Sequence, residues 1–327
     1  MTWIVFLLSS AAVVAAAVKL AAYGDVIAVR TRLGGMFIGT LLLATATSLP
    51  EILSMLTAFQ LASPNLAAGN LLGSNMVNMA LLAVVDLASP YRPLLRNVAV
   101  DHALTASLAT LMSCLTVVFI AINLPFAIGW VGLDSLVIIA VYIAGIVLIR
   151  SQGQPVSETP AEALAQVMSL RAASIRFAIA AGALMLATPI LVNASKGIAQ
   201  ETGLGAGFVG TALLATVTSL PELVSALAAV RLGALDLAVG NLFGSNILNL
   251  LVLGVADLVY FQGRILGAID PNFALVGLLG LLLINIALIG NLVRLNWRPT
   301  WVTIDAVLIL VVYVGGMYLL YLRGIGI

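Results

Sequence analysis

The sequence contains few charged side chains and almost no cysteine or histidine. Only 8% of its 327 residues are charged, against about 25% in an average soluble domain, and 62% are hydrophobic. Its 14 basic and 13 acidic residues almost balance, so the basic surface by which proteins bind nucleic acid is not expected. This composition is typical of a protein that lies within a lipid bilayer.

The scarcity of reactive side chains also limits the chemistry. A single cysteine, Cys114, excludes an intramolecular disulfide and a cysteine-based metal site. His102, the single histidine, lies near the end of an apolar stretch without a clustered partner and is interpreted as a helix-end residue. The sequence has no His-Glu-x-x-His motif, no paired aspartates deep in a span and no Ser/His pair, which argues against an intramembrane enzyme. No cofactor is expected.

Ten stretches of the chain are long and apolar enough to cross a bilayer, which takes about 20 residues of helix. They lie near residues 3–22, 33–60, 66–86, 102–122, 124–149, 175–196, 204–231, 237–256, 272–293 and 301–322. The first lysine, Lys19, follows the first apolar run, which is the wrong polarity for a cleaved signal peptide. The sequence therefore predicts an all-α polytopic protein of the cell membrane with ten transmembrane helices.

The basic residues divide unequally between the two sides of the membrane that ten spans define. Eleven fall on one side, namely Lys19, Arg30, Arg32, Arg92, Arg96, Arg150, Arg171, Arg176, Arg231, Arg294 and Arg298. Three fall on the other side, namely Lys196, Arg264 and Arg323. Because basic residues accumulate in cytoplasmic loops, the larger set is predicted to be cytoplasmic and both termini to face outward.

The chain contains an internal repeat. The segment 39–78 aligns with 210–249 at a constant offset and without a gap, and 24 of these 40 positions are identical. The predicted organisation is a first five-helix repeat at 1–149, a cytoplasmic linker at 150–172 and a second five-helix repeat at 173–327. An odd number of spans in each repeat makes the two copies inverted, as in many secondary transporters, whose ligands bind near the midplane.

Two glutamates occupy equivalent places in the repeats. Glu51 and Glu222 lie near the middles of apolar stretches, where a charged carboxylate costs at least about 2–3 kcal/mol unless it is paired or hydrated. No lysine or arginine lies at a comparable depth in the sequence. Bound cations, protons or water are therefore predicted to compensate the two carboxylates.

A proline precedes each glutamate. Pro50 and Pro221 lack the helical N–H group, so the helix is predicted to break or kink there. The carbonyl groups four residues earlier, those of Ala46 and Val217, would then be open to other partners, and hard cations bind such oxygens.

Helical spacing gathers oxygen-bearing side chains beside each glutamate. These are Thr47, Ser48, Asn70, Ser74 and Asn78 in the first copy, and Thr218, Ser219, Asn241, Ser245 and Asn249 in the second. The glycine pairs Gly69 with Gly73 and Gly240 with Gly244 are predicted to let the helices approach closely. The alternative, that the polar groups only hold helices together, explains two unpaired glutamates poorly; for Asn75 and Asn246 that structural role is the preferred interpretation.

These segments resemble the α-repeats of the sodium/calcium exchanger family, within the wider group of cation/calcium antiporters. The resemblance rests on Thr-Ser-Leu-Pro-Glu followed by Gly-Asn-Leu-x-Gly-Ser-Asn-x-x-Asn, which occur in both copies in the same order and spacing. It implies a fold in which spans two, three, seven and eight hold the ions, while spans one and six slide against them.

The resemblance also implies a set of ion ligands. Glu51 and Glu222 would bind both calcium and sodium. The sodium sites would be completed by Thr47, Ser48, Ser74, Thr218, Ser219 and Ser245 and by the backbone carbonyls of Ala44 and Ala215. Asn78 and Asn249 join the predicted metal ligands through their places on the two helical stripes.

Two departures from relatives bear on the coupling ion. Some relatives have an aspartate where this chain has Asn249, and its absence argues against the use of potassium. Proton/calcium exchangers typically have an acid where this chain has Gly73 and Gly244, which argues against obligatory proton coupling.

The leading hypothesis is a secondary antiporter that exchanges Na⁺ for Ca²⁺ by alternating access. Its partners would be these two ions and the lipid bilayer, nucleic acid is not expected, and the sequence leaves protein partners unknown. A proton-coupled exchanger, or one for another divalent cation, remains the main alternative. A passive channel is a further alternative, although interrupted helices in an inverted repeat favour alternating access.

Overall fold

The computed structural model describes residues 1–31, 47–89, 94, 102–151, 168–292 and 303–325. The first half contains α1 (Thr2–Thr31), α2 (Leu49–Gln60), α3 (Pro64–Ala88), α4 (His102–Ile122), β1 (Ala127–Ile128), β2 (Val131–Gly132) and α5 (Leu133–Ser151). The second half contains α6 (Leu170–Thr202), α7 (Ala206–Val209), the π-helical turn π1 (Gly210–Leu214), α8 (Ala215–Thr218), α9 (Leu220–Arg231), α10 (Leu235–Val259), α11 (Ile265–Ala268), α12 (Phe273–Leu292) and α13 (Ile304–Arg323).

The described helices confirm the predicted all-α polytopic membrane fold. Within the described ranges, eight helical segments are long and apolar enough to cross a membrane, and α5 contributes a shorter apolar segment, Leu133–Ile149. Helix α2 forms the second half of the predicted second span, whose first half, with the beginning of the repeat, lies outside the described residues. Most of the predicted linker 150–172, namely residues 152–167, also lies outside the described residues.

The fifth span begins later than predicted. Residues 124–132 do not form helix: β1 and β2 pair as a short antiparallel hairpin, with Ala127 opposite Gly132. Pro125 explains the difference, because proline lacks an N–H group and disfavours a helical conformation at the preceding residue. Gly129 has a φ angle of 68° and supplies the left-handed conformation that the turn requires.

Helices α1 and α6 pack side by side along their length and run in opposite directions. At one end of the pair, the Thr2 hydroxyl donates a hydrogen bond to the Glu201 carboxylate. At the other end, the Arg30 Nε donates to the Met168 carbonyl at 3.2 Å. The helices have 30 and 33 residues, longer than the predicted spans 3–22 and 175–196, and the pair also packs against α2, α8 and α9.

Helix α3 crosses the first part of the seventh span in direct backbone contact. A Cβ atom at Gly69 would lie 2.5 Å from the Gly207 carbonyl oxygen, and one at Gly73 would lie 2.6 Å from the Thr211 Cα. Only glycine permits this approach, as predicted for the first copy. In the second copy, a Cβ at Gly240 would lie 3.1 Å from the His102 ring. Gly240 therefore makes room for a side chain, whereas Gly69 and Gly73 make room for backbone.

Two equivalent aspartates fasten loops to helices at opposite ends of the fold. The Asp257 carboxylate accepts the backbone N–H of Ile265 at 2.5 Å and that of Gly132 at 2.6 Å. Asp86 accepts the backbone N–H of Leu94 and the hydroxyl of Thr303. Asp86 corresponds to Asp257, Leu94 to Ile265 and Gly132 to Thr303 at the constant offset of the repeat. The correspondence between the copies therefore continues beyond their most similar segment, 39–78.

Replacing Asp257 with alanine is expected to lower the free energy of unfolding by about 2–5 kcal/mol, because two buried N–H groups would lose their acceptor. Asp257 itself is fully buried. Thermal unfolding of the purified protein in detergent measures the effect, and Glu201→Ala, which removes only the exposed hydrogen bond from Thr2, is the control. Equal melting temperatures for Asp257→Ala and the parent would contradict the role assigned to these hydrogen bonds.

Candidate ion-binding site

The helix breaks predicted at the two prolines are present in both repeats. The turn at Ser219 separates α8 from α9, and Ser48 forms the equivalent turn before α2. Both prolines lie at the beginnings of the new helices, where the missing N–H group costs nothing. Glu51 and Glu222 therefore lie in first helical turns, and the positive end of each helix dipole favours a negative charge there.

Both glutamates are almost completely buried, and each keeps one carboxylate oxygen without a partner. Glu51 and Glu222 are each 1% exposed, and the Oε2 atom of each has no hydrogen-bond partner within the described part of the chain. The ion pairs found there join other residues, His102 with Asp236 and Asp134 with Arg264. Among the described residues, no ion pair involves either glutamate.

The neighbours of each glutamate come from both halves of the chain. Ser48 and Ser245 each direct a hydroxyl at the Glu222 Oε1 at 3.4 Å, and Thr47 lies beside the same carboxyl. Ser74 and Thr218 lie beside the Glu51 carboxyl. The two carboxyls are close enough for their charges to repel each other. The structure thus gathers both glutamates and five hydroxyls into one polar centre.

Four asparagines form a reciprocal pair of hydrogen bonds where α3 crosses α10. The Asn78 amide donates to the Asn246 Oδ1 at 3.0 Å, and the Asn249 amide donates to the Asn75 Oδ1 at 3.1 Å. The Oδ1 atoms of Asn78 and Asn249 are buried and have no partner among the described residues. Asn75 and Asn246 therefore hold helices together, while Asn78 and Asn249 each keep one free acceptor.

The remaining predicted ligands are the Ser219 hydroxyl and the carbonyls of Ala215 and Ala44. Ser219 is fully buried, and its hydroxyl has no partner in the described ranges. The Ala215 carbonyl accepts the Ser219 N–H at 3.0 Å, and the Thr218 hydroxyl lies 3.4 Å from the same oxygen. Ala44 lies outside the described residues, so the prediction for its carbonyl stays a prediction.

Sequence reasoning missed the partner of His102. The residue does begin a helix, α4, as predicted, but its Nε2 lies 3.0 Å from the Asp236 Oδ1 on α10. No short-range pattern could show this contact, because the two residues lie 134 positions apart. The π-helical turn π1 (Gly210–Leu214) was also missed, since its residues show no pattern that distinguishes a π-helical turn from the α-helix around it.

The donor set suits a hard cation. No three His, Cys, Asp or Glu side chains cluster within the described ranges, so the centre offers two carboxylates together with neutral hydroxyl, amide and carbonyl oxygens. Calcium binds oxygen ligands of this kind. An ion here would contact residues of both repeats, because the oxygens on either side of it come from different halves.

Family comparison agrees with this geometry. The model of the family described as "Sodium/calcium exchanger protein" matches residues 1–150 and 173–322, which include both repeats. The chain belongs to the sodium/calcium exchanger family. Like its relatives, this family member is a transporter and not an enzyme.

Individual proteins resemble this exchanger-family chain over most of its length. A putative antiporter, CaxA of Alkalimonas amylolytica, is 29% identical over 292 residues, which cover 88% of each chain. The solved H⁺/Ca²⁺ exchanger CAX superposes with a TM-score of 0.73 at 15% identity, covering 98% of this chain and 85% of its own. The sodium-calcium exchanger NCX_Mj superposes with a TM-score of 0.64 at 20% identity, covering 97% of both chains. These two structures support the fold.

Proposed function

We propose that the protein is a secondary antiporter that exchanges Na⁺ for Ca²⁺ across the cell membrane, and that Glu51 and Glu222 bind both ions. The observation that carries this proposal is the pair of buried carboxylates, each with an oxygen that lacks a partner among the described residues. A buried charge of this kind is costly unless a counter-ion compensates it. One Ca²⁺ would neutralise both carboxylates.

Sodium ions need more neutral oxygens for the same site. The hydroxyls of Thr47, Ser48 and Ser74, with Thr218, Ser219 and Ser245, surround the carboxyls or lie in the same broken helices, and all are fully buried. The Ala44 and Ala215 carbonyls and the amide oxygens of Asn78 and Asn249 complete the proposed set. Because both ions need the same two glutamates, they compete, and competition at one site is what exchange requires.

The two halves, 1–149 and 173–327, are proposed to be inverted repeats joined by the linker 150–172. Two observations support the inversion. The equivalent helices α1 and α6 run in opposite directions, and the paired asparagines on α3 and α10 exchange hydrogen bonds in the reciprocal pattern of a two-fold axis. The distribution of basic residues supports an orientation in which both termini face outward.

Alternating access is proposed to involve movement of the α1/α6 pair relative to the site helices. The described contact between these groups includes a hydrogen bond that such a movement would have to break: the Lys196 ammonium of α6 donates to the Leu61 carbonyl, at the end of α2, at 2.7 Å. The site side chains Glu51, Glu222, Ser74 and Ser245 are 0–1% exposed, so an ion needs a conformational change to enter or leave.

Purified protein in proteoliposomes tests this function. We expect calcium uptake to require an outward-directed sodium gradient, to fall steeply when sodium is added on the calcium side, and to respond to membrane potential if three Na⁺ exchange for one Ca²⁺. Calcium uptake driven by a pH gradient and indifferent to sodium would support the proton-coupled alternative. Calcium flux at channel-like rates without any counter-ion would support a pore.

Asn249→Asp is expected to make calcium transport more sensitive to pH or potassium. The substitution adds a third acid beside the site, where the Asn249 Oδ1 is buried and has no partner in the described ranges. Calcium uptake measured across a pH series and with potassium replacing choline reports the change. Asn285→Asp is the control, since the Asn285 amide bonds its own helix at the Leu281 carbonyl. An unchanged ion dependence would show that Asn249 does not face the ion.

A further inference from the structure

Two equivalent asparagines, Asn70 on α3 and Asn241 on α10, have different hydrogen bonds. The Thr218 hydroxyl lies 3.0 Å from the Asn70 Oδ1 and 3.4 Å from the Ala215 carbonyl oxygen, so its single hydrogen bonds the nearer acceptor, Asn70. Asn241 is only 4% exposed, yet neither polar atom of its amide has a hydrogen-bond partner in the described part of the chain. The equivalent threonine, Thr47, lies beside Glu222 and makes no hydrogen bond to Asn241. One of two symmetry-related bonds is therefore present and the other is absent.

Among the described residues, Asn241 lacks a partner at both polar atoms of its amide, whereas Asn70 lacks one only at Nδ2. Buried polar side chains nearly always have a hydrogen-bond partner, and each exception needs an explanation. A polar group that lacks a partner in one conformation is explained if it gains one in another. Thr47 is the natural partner, because Thr218 bonds Asn70 at the equivalent place.

The Asn70 bond also determines which side of the Thr218 hydroxyl faces the ion site. A hydroxyl has one hydrogen and two lone pairs. When the hydrogen points to Asn70, the lone pairs remain for the neighbours on the other side, where the Glu51 carboxyl lies. A cation binds the lone pairs of oxygen. Without the asparagine, the hydroxyl would turn its hydrogen toward the carboxylate and compete with the cation.

The two asparagines lie on opposite flanks of the site. Asn70 is near the beginning of α3, and Asn241 is near the beginning of α10, and these helices cross in opposite directions. A change that exchanges the conformations of the two halves would break the Asn70 bond and form the Asn241 bond.

We propose that Asn70 and Asn241 are positioning residues that turn the oxygens of Thr218 and Thr47 toward the transported ion, in alternate conformations of the cycle. The proposal rests on the exchange function and on the inverted repeats proposed above. Thr218 is the positioned ligand in the present conformation, and Thr47 becomes the positioned ligand when the transporter opens to the other side. The effect falls mainly on sodium, because sodium depends on the neutral oxygens more than calcium does.

Asn70→Ala and Asn241→Ala test the proposal in proteoliposomes whose transporters are assayed from one side at a time. Each substitution is expected to raise the half-saturating sodium concentration about tenfold, as for the loss of one hydrogen bond. The increase should appear on one side of the membrane only, and on opposite sides for the two variants. The half-saturating calcium concentration should change less than about twofold. Equal effects on both ions, or effects on the same side, would overturn the proposal.

A double-mutant cycle separates positioning from a general structural role. In a Thr218→Val background, Asn70→Ala should have no further effect on sodium, because the hydroxyl that it positions is gone. Asn241→Ala should keep its full effect in that background and serves as the matched control. Additive losses from Asn70→Ala and Thr218→Val would refute the positioning role.

The design remains decisive if one variant is unstable. Asn241→Ala removes an amide that has no partner among the described residues in this conformation, so it is expected to fold with the melting temperature of the parent and to test the proposal by itself. A parent whose calcium flux ignores sodium would refute sodium coupling separately. In that case, shifts in the half-saturating calcium concentration on opposite sides of the membrane for the two variants would still support the positioning role of Asn70 and Asn241. Shifts on the same side would refute that role.

Discussion

Calcium uptake is expected to fall at least about 100-fold in Glu51→Gln and in Glu222→Gln, because removing one member of a buried charge arrangement costs about 3–5 kcal/mol. Each substitution halves the formal negative charge that faces a divalent cation. Both carboxyls are buried and each keeps one oxygen without a partner in the described structure. Calcium flux into proteoliposomes with a sodium gradient measures the loss.

The glutamine variants should remain folded, since glutamine has nearly the same shape and removes a buried charge. Their melting temperatures in detergent should equal or exceed that of the parent. Glu201→Gln neutralises an exposed acid at the end of α6 and is the control for a general effect of charge. Calcium flux near the parental rate in either glutamine variant would contradict the proposed site.

Gly73→Ala is expected to destabilise the protein by about 1–3 kcal/mol, as overpacking of a close contact does, and to reduce calcium transport strongly. The added Cβ would lie 2.6 Å from the Thr211 Cα and 2.8 Å from the Thr211 carbonyl oxygen. Both atoms belong to the backbone, so they can yield only if α3 moves away from π1. Ser74, the next residue, would then move away from Glu51.

Thermal unfolding and calcium flux measure the two effects of Gly73→Ala. Gly315→Ala is the matched control, because Gly315 lies within a helix, is exposed, and has no described atom within 4 Å of an added Cβ. The control should keep the parental melting temperature and flux. If Gly73→Ala behaved like Gly315→Ala, the close contact between α3 and the seventh span would not be needed for transport.

Several parts of the fold and site could be predicted from short-range patterns. Hydropathy indicated the membrane helices, because a lipid-spanning backbone must satisfy its hydrogen bonds within one helix. Pro50 and Pro221 indicated the helix breaks, since the missing N–H group acts locally. The constant offset between the two copies indicated which residues are equivalent, and the two glutamates without basic neighbours indicated a cation site.

Other features could not be predicted, because they depend on contacts between distant residues. Asp236 lies 134 positions from His102, and the Asn78 and Asn246 side chains meet across 168 positions. The hairpin at 127–132 was missed for a local reason, because hydropathy alone cannot distinguish a hairpin from a helix end in an apolar stretch, although Pro125 was a signal against helix there. The equivalence of the two copies also gave no indication that, among the described residues, the Asn70 side chain accepts a hydrogen bond while the Asn241 side chain has no partner.

The sequence alone determined that the chain spans a membrane, that its halves are related, and that two carboxylates lie at equivalent depths. Each of these conclusions follows from hydropathy and residue spacing along one helix or one repeat. Only the tertiary structure decided which hydroxyls face which glutamate, because the neighbours of each carboxyl come from the opposite half as well as its own. It also decided the different hydrogen bonding of Asn70 and Asn241 among the described residues. Two equivalent motifs can adopt different conformations when the helices packed against them differ.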